Sequence, residues 1–211
     1  MSWQEEYHRK LISMPEAVGM VQSGMTLSIG IAASEPVGML EELARQADRL
    51  ENVTTWTCLP MRAYDIFMKP EMEGRIFNEN WFYGAPDRAV HSEGRVSYTP
   101  NNLHKAGIDK LIGHNGRLDM MLGVCTPPNE EGMISLSMGA VAEREMIDSA
   151  DKVILEVNRN LPWTDGDVVI PMALVDHFVE FDSPLVQVSS ATPNEIDELI
   201  GHHVSDFIDD G

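Results

Sequence analysis

Residues 25–50 read MTLSIGIAASEPVGMLEELARQADRL, and the hydrophobic period changes once along them. Met25, Leu27, Ile29 and Ile31 alternate with Thr26, Ser28 and Gly30, a period of two that predicts a strand. Val37, Leu40, Leu43, Ala44, Ala47 and Leu50 then recur at helical spacing. Between them lies a short turn, Ala32-Ala33-Ser34-Glu35-Pro36, in which Ser34 is expected to cap the helix and Pro36 to occupy its first turn. A strand that runs through a tight turn into a helix is the repeating unit of an α/β fold.

The same rhythm extends outward. Ser13-Met14-Pro15-Glu16 is a capping box that opens a helix, and Gly24 ends it. Residues 53–59 and 118–124 are β-branched or almost wholly apolar, as buried parallel strands are. Residues 75–82, 95–98 and 132–137 are shorter strand candidates, and residues 152–157 are another buried strand after a helix over 141–150. Consecutive prolines make Thr126-Pro127-Pro128-Asn129 a loop. Residues 168–170 and 178–181 read as short strands of a peripheral piece. Thr192-Pro193-Asn194-Glu195 reads as a second capping box. It opens a helix whose apolar stripe is Ile196, Leu199, Ile200, His203, Val204, Phe207 and Ile208, with Gly211 after it. The expected architecture is a mostly parallel open sheet with helices on both faces; residues 61–117 are too irregular to assign in detail.

Composition narrows the function. The 211 residues carry a formal charge of −19, which opposes nucleic-acid phosphates. No segment approaches the ~20 apolar residues of a membrane helix, and the polar start is not a signal peptide, so a cytoplasmic protein is expected. Eight of the 15 basic residues lie between Arg62 and Arg117, whereas eleven acidic residues and no Lys or Arg follow Arg159. The acidic end is a solvated surface, a face that docks a basic partner, or the mark of an acidic proteome. Two cysteines, Cys58 and Cys125, form no disulfide framework and read as buried thiols; Cys125 as a nucleophile has no basic partner placed by the sequence. His91, His104 and His114 show no metal-ligand spacing, and His202 and His203 point about 100° apart on a helix.

The turn after residue 30 is the candidate ligand site. Free N–H groups at a helix start favour an anion, and ligands of open α/β sheets gather at the carboxyl ends of strands. Glu35 beside it is a general base or a helix-start carboxylate. No Walker A loop, GxGxxG fingerprint or GxSxG elbow is present.

Several stretches, in order, resemble the N-terminal half of the acetyl-CoA hydrolase/transferase family, most closely its 4-hydroxybutyrate and butyrate–acetate coenzyme A transferases. They are Leu27 to Pro36; Tyr98-Thr99-Pro100 with His104; Val124-Cys125-Thr126-Pro127-Pro128-Asn129 with Gly132; Lys152 to Asn158; and Leu161 to Gly166 with Asp176 and Val179. The resemblance implies a coenzyme A transferase-like fold, related to sugar-phosphate isomerase-like folds, and an N-terminal domain over residues 1–211. It implies coenzyme A as substrate, not a permanently bound cofactor, and an acyl-CoA and a short carboxylate as ligands. It also implies a partner, either a C-terminal half that carries the catalytic glutamate or a homo-oligomer. No residue here matches that glutamate. Ser28, Gly30, Ser34, Glu35, Asn101, His104, Thr126 and Asn129 are the expected substrate-binding residues. Asn129 stands where the family has Asp, which puts a role for that carboxylate in question. An acyl-CoA hydrolase, a non-catalytic assembly module and a stand-alone sugar-phosphate enzyme are the alternatives.

Overall fold

The computed structural model describes residues 2–113 and 115–209. His114, Asp210 and Gly211, the last expected to follow the final helix, lie outside the described residues.

The elements in chain order are α1 (Trp3–Lys10), α2 (Met14–Gly19), β1 (Thr26–Ile29), α3 (Val37–Arg45), β2 (Val53–Thr57), α4 (Asp65–Met68), β3 (Ile76–Asn80), α5 (Ala85–Val90), β4 (Val96–Tyr98), α6 (Ala106–Gly113), β5 (Leu118–Cys125), β6 (Met133–Ser135), α7 (Glu143–Ser149), β7 (Ala150–Val157), β8 (Val169–Pro171), β9 (His177–Glu180) and α8 (Glu195–Ser205). Seven strands form one sheet in the order β4-β3-β2-β1-β5-β7-β9, every neighbouring pair parallel. The chain builds outward from β1 to β4, then crosses back to place β5 on the other side of β1. The carboxyl ends of β1 and β5 therefore form a topological switch point, where a crevice opens because the connections diverge.

Both faces of the sheet are covered, as expected. Leu27, Ile29, Val53 and Ile154 point to one face, under Val18 of α2, Leu40 and Leu43 of α3, and Ile66 of α4. Trp56, Met121 and Leu155 point to the other, under Ala106 of α6 and Met146 and Ile147 of α7. A two-stranded antiparallel sheet, β6 with β8, closes that second face through Ile134 and Ile170. Lys110 ties α6 down: its Nζ lies 2.7 Å from Glu79 Oε2 and over the rings of Trp56 and Trp81. No described helix is long and apolar enough to cross a membrane.

Three expectations are corrected. The strand expected at 178–181 is not peripheral: β9 is an edge strand of the main sheet, with Phe178 and Val179 buried on its two faces. Ser34 does not cap α3. Residues Ala32–Ser34 wind into a 3-10 turn, Pro36 becomes the N-cap, and no side chain of the turn bonds the helix start. The last capping box sits two residues later than expected. Asn194 Oδ1 accepts from the backbone N of Ile196 and Asp197, and Asn194 N donates to Asp197 Oδ2. Phe207 and Ile208, placed by sequence on the helical stripe, follow the end of α8.

Candidate functional site

At the switch point the turn after β1 is tight. A Cβ on Gly30 would lie 2.1 Å from the carbonyl oxygen of Ser34, so only glycine lets the backbone fold back on itself there. Ala32 follows at φ 51°, and Leu59, at the end of the neighbouring β2, sits at φ 53°. Each is a non-glycine residue in the left-handed region, which costs about 1–3 kcal/mol and must be repaid by its surroundings. Ala32 N donates to Cys58 O at 3.1 Å and Leu59 N to Phe82 O at 2.7 Å, so adjacent strand ends hold each other in these conformations.

Two of the N–H groups around the turn are occupied from within. Ile31 N donates to Glu143 Oε1 at 2.9 Å, and Met39 N, in the first turn of α3, donates to Glu156 Oε2 at 3.0 Å. Glu156 thus does the capping that Ser34 does not.

Glu35 is the functional group that the turn presents. It is 6 % exposed. Its carboxyl accepts from Met61 N at 3.3 Å and from Tyr64 Oη at 3.2 Å. Burial pushes Glu35 up to about 8, against the lowering effect of those two bonds and of Arg62. Desolvation likewise lifts Glu156 to about 8. Glu35 lines a narrow cleft with Ala33, Arg62, Val124 and Asn158. Residues 183–186 lie across it. Ser183 is pinned by Asn158 Nδ2, which donates to its carbonyl at 2.9 Å and to its Oγ at 3.0 Å, and by Asn160 Nδ2, 2.9 Å from the same carbonyl. Arg62 donates through Nη2 to the Pro184 carbonyl.

The expected residues divide. Gly30, Ser34 and Glu35 meet at the turn; Ser34 is buried and its Oγ has no hydrogen-bond partner. Ser28 is buried within β1, in register with Trp56 and Met121. Thr126 and Asn129 build the β5–β6 connection: Thr126 Oγ1 accepts from Ser135 N at 3.1 Å, and Asn129 Oδ1 accepts from Glu131 N and Met133 N at 3.0 and 2.9 Å. Asn101 and His104 follow β4, which stands three strands from β1, and neither lines the cleft. Sequence reasoning missed Arg62, Tyr64 and Asn158. Arg62 and Tyr64 carry no local signature; Asn158 ends a stretch that carries the resemblance. Cys58 and Cys125 are buried thiols, and burial raises both, Cys58 to about 11. A thiolate is the nucleophilic form, and this setting opposes it.

Residues 1–189 match the acetyl-CoA hydrolase/transferase N-terminal domain. The chain belongs to that family. Succinyl-CoA:cyclohexane-1-carboxylate CoA transferase of Geobacter metallireducens is 29% identical over 210 residues, which are 100% of this chain and 47% of that protein. The 4-hydroxybutyrate coenzyme A transferase of Clostridium kluyveri is 26% identical over 212 residues, 100% of this chain and 49% of its own length. In structure, RipA from Yersinia pestis superposes with a TM-score of 0.90 at 28% identity, over 100% of this chain and 51% of RipA. The chain therefore spans about half the length of each of these relatives.

Proposed function

We propose that this chain is the N-terminal domain of a two-domain coenzyme A transferase, which moves coenzyme A from an acyl-CoA to a short carboxylate such as acetate, butyrate or 4-hydroxybutyrate. The observation that carries the reading is one of extent. The family match and the fold run along nearly the whole chain, yet cover only half of each relative. A second half supplies the catalytic glutamate.

In this scheme the glutamate carboxylate attacks the thioester carbonyl, the C–S bond breaks, and coenzyme A leaves as thiolate from an acyl–glutamyl anhydride. The thiolate attacks the glutamyl carbonyl and expels the donor carboxylate, leaving a glutamyl–CoA thioester. The acceptor carboxylate then repeats these two steps in reverse and restores the glutamate. Water in place of the acceptor gives hydrolysis. Coenzyme A is a substrate throughout.

The cleft at Glu35 receives the carboxylate. A Glu35 kept protonated near neutral pH donates a hydrogen bond to an incoming carboxylate, where an ionised one would repel it. Gly30 and Ser34 shape the turn that presents Glu35, Thr126 and Asn129 fix the wall beyond β5, and Ser28 supports the strand beneath. Asn101 and His104 lie outside this cleft.

The test is coenzyme A exchange between acetyl-CoA and butyrate, with the chain alone and with a C-terminal half supplied. Exchange only in the combined sample supports the proposal; turnover by the chain alone at the combined rate would sink it. One observation favours an assembly role beside it: α8 buries none of its residues, and Phe207 beyond it is 88% exposed.

A further inference from the structure

α8 is a helix with nothing to pack on. From residue 187 to residue 209 every residue is exposed, and residues 181–194, which lead into α8, form no helix or strand. Yet Ile196, Leu199, Ile200 and Val204 make an apolar stripe at helical spacing, and a capping box on Asn194 and Asp197 opens it. A helix of 11 residues is marginal in water without a surface to cover. A repeat within the sequence shows what kind of surface that is. Val204, Phe207, Ile208 and Gly211 have the spacing of Ala17, Met20, Val21 and Gly24. In the earlier set, Ala17, Met20 and Val21 pack on the core beside Leu27 of β1, and Gly24, at φ 77°, leads the chain into that strand. In the later set, Val204, Phe207 and Ile208 are 54, 88 and 70 % exposed.

We infer that α8 does for the second half what α2 does for the first: its apolar stripe covers the sheet of that half, so that this chain donates a helix to the fold of its partner domain. This rests on the proposal above that a second half completes the transferase. Three observations point to that occupant. The N-terminal domain of the family matches residues 1–189 and stops short of α8. The superposition on RipA runs over the whole chain, α8 included, and leaves about half of RipA beyond it. The charges of α8 disfavour a second copy. Glu195, Asp197, Glu198, Asp206 and Asp209 lie on the helix or just past it, with no Lys or Arg among them. Two α8 helices laid face to face would bring these acids together, on chains that each carry a formal −19.

The test is hydrogen–deuterium exchange, read by mass spectrometry, on the 211-residue chain and on the two-domain protein. Residues 195–205 should exchange close to the unprotected rate in the chain alone, and at least about a hundredfold more slowly in the two-domain protein. Ile200→Asp/Val204→Asp should leave the melting temperature of the 211-residue chain within about 1 °C of the parent. In the two-domain protein the same pair should speed exchange in the second half, while residues 118–125 keep the parent's rate. Val204→Ala, the gentler change, should do the same to a lesser degree and serves if the double variant cannot be purified. Protection of residues 195–205 in the chain alone at low concentration would place α8 on its own domain. Protection that grows with the concentration of that chain would place it on a second copy. Either result overturns the inference, as do variants that leave exchange in the second half unchanged. A two-domain protein with α8 protected but no movement of coenzyme A from acetyl-CoA to a short carboxylate fails the transferase reading alone. One that is active with α8 unprotected fails the inference alone.

Discussion

Glu156, at the end of β7, holds the start of α3: its Oε2 lies 3.0 Å from the backbone nitrogen of Met39. The bond joins the strand two places from β1 to the helix that follows β1, and so fixes the turn that carries Glu35. Glu156→Ala leaves a buried N–H without a partner, which costs about 1–3 kcal/mol. For a chain of this size the melting temperature should fall by roughly 2–10 °C. Glu156→Gln keeps an acceptor oxygen and should melt close to the parent. Differential scanning calorimetry of the two variants decides between capping and a role for charge.

Glu35 and Glu156 set a pH dependence. Burial raises both from an ordinary 4.5 to about 8 in the folded protein. The folded state then binds more protons than the unfolded state between these values. Their contribution to stability is fully present below about pH 4.5 and is lost as pH rises through about 8. Unfolding midpoints in urea should decline from pH 5 to pH 8 and level off above that. A Glu35→Gln/Glu156→Gln double variant should flatten the decline; an unchanged slope would show that neither group is the source.

Asn129 tests the departure from the family pattern. Its Oδ1 closes a turn by accepting from Glu131 N and Met133 N, work that an aspartate oxygen does equally well. Asn129→Asp should therefore leave both stability and activity near the parent. Asn129→Ala removes both bonds and should cost about 1 kcal/mol, measurable by chemical denaturation.

Gly30→Ala should be far more damaging than its size suggests. The new methyl would need the space of the Ser34 carbonyl oxygen, 2.1 Å away. The backbone of residues 30–35 has to move, at a cost at or above the ~1–3 kcal/mol of an overpacked core. Thermal melting and the loss of Tyr64–Glu35 contact, seen in a shifted tyrosine absorbance, report it.

Removing residues 191–211 should change the melting temperature of the chain by no more than about 1 °C, since α8 buries nothing against it. If the chain instead loses several degrees, α8 packs on its own domain in solution.

The sheet was legible because its strands are buried on both faces, and residues 118–124 and 152–157 advertise that with almost unbroken apolar runs. Within residues 61–117 only β3 and β4 were legible, inside the expected 75–82 and 95–98; α4 and α5 are too short to show a hydrophobic period. β9 was read as peripheral because a four-residue edge strand looks the same whether it joins the main sheet or a small one. At the site, Gly30, Ser34 and Glu35 could be found because they are adjacent in sequence. Arg62 and Asn158 could not, because only the crossover from β4 to β5 brings the ends of β2 and β7 to either side of β1. The internal acceptors of Ile31 N and Met39 N were hidden for the same reason: Glu143 and Glu156 lie more than a hundred residues away along the chain.

The most direct measurement of the central claim is the incorporation of labelled acetate into acetyl-CoA, with no other acceptor present. A transferase that passes through a glutamyl–CoA thioester performs this exchange without net reaction. The chain combined with its C-terminal half should show it, and the chain alone should not. Exchange by the chain alone at the combined rate, or none by the combined protein with any short carboxylate, would contradict the account.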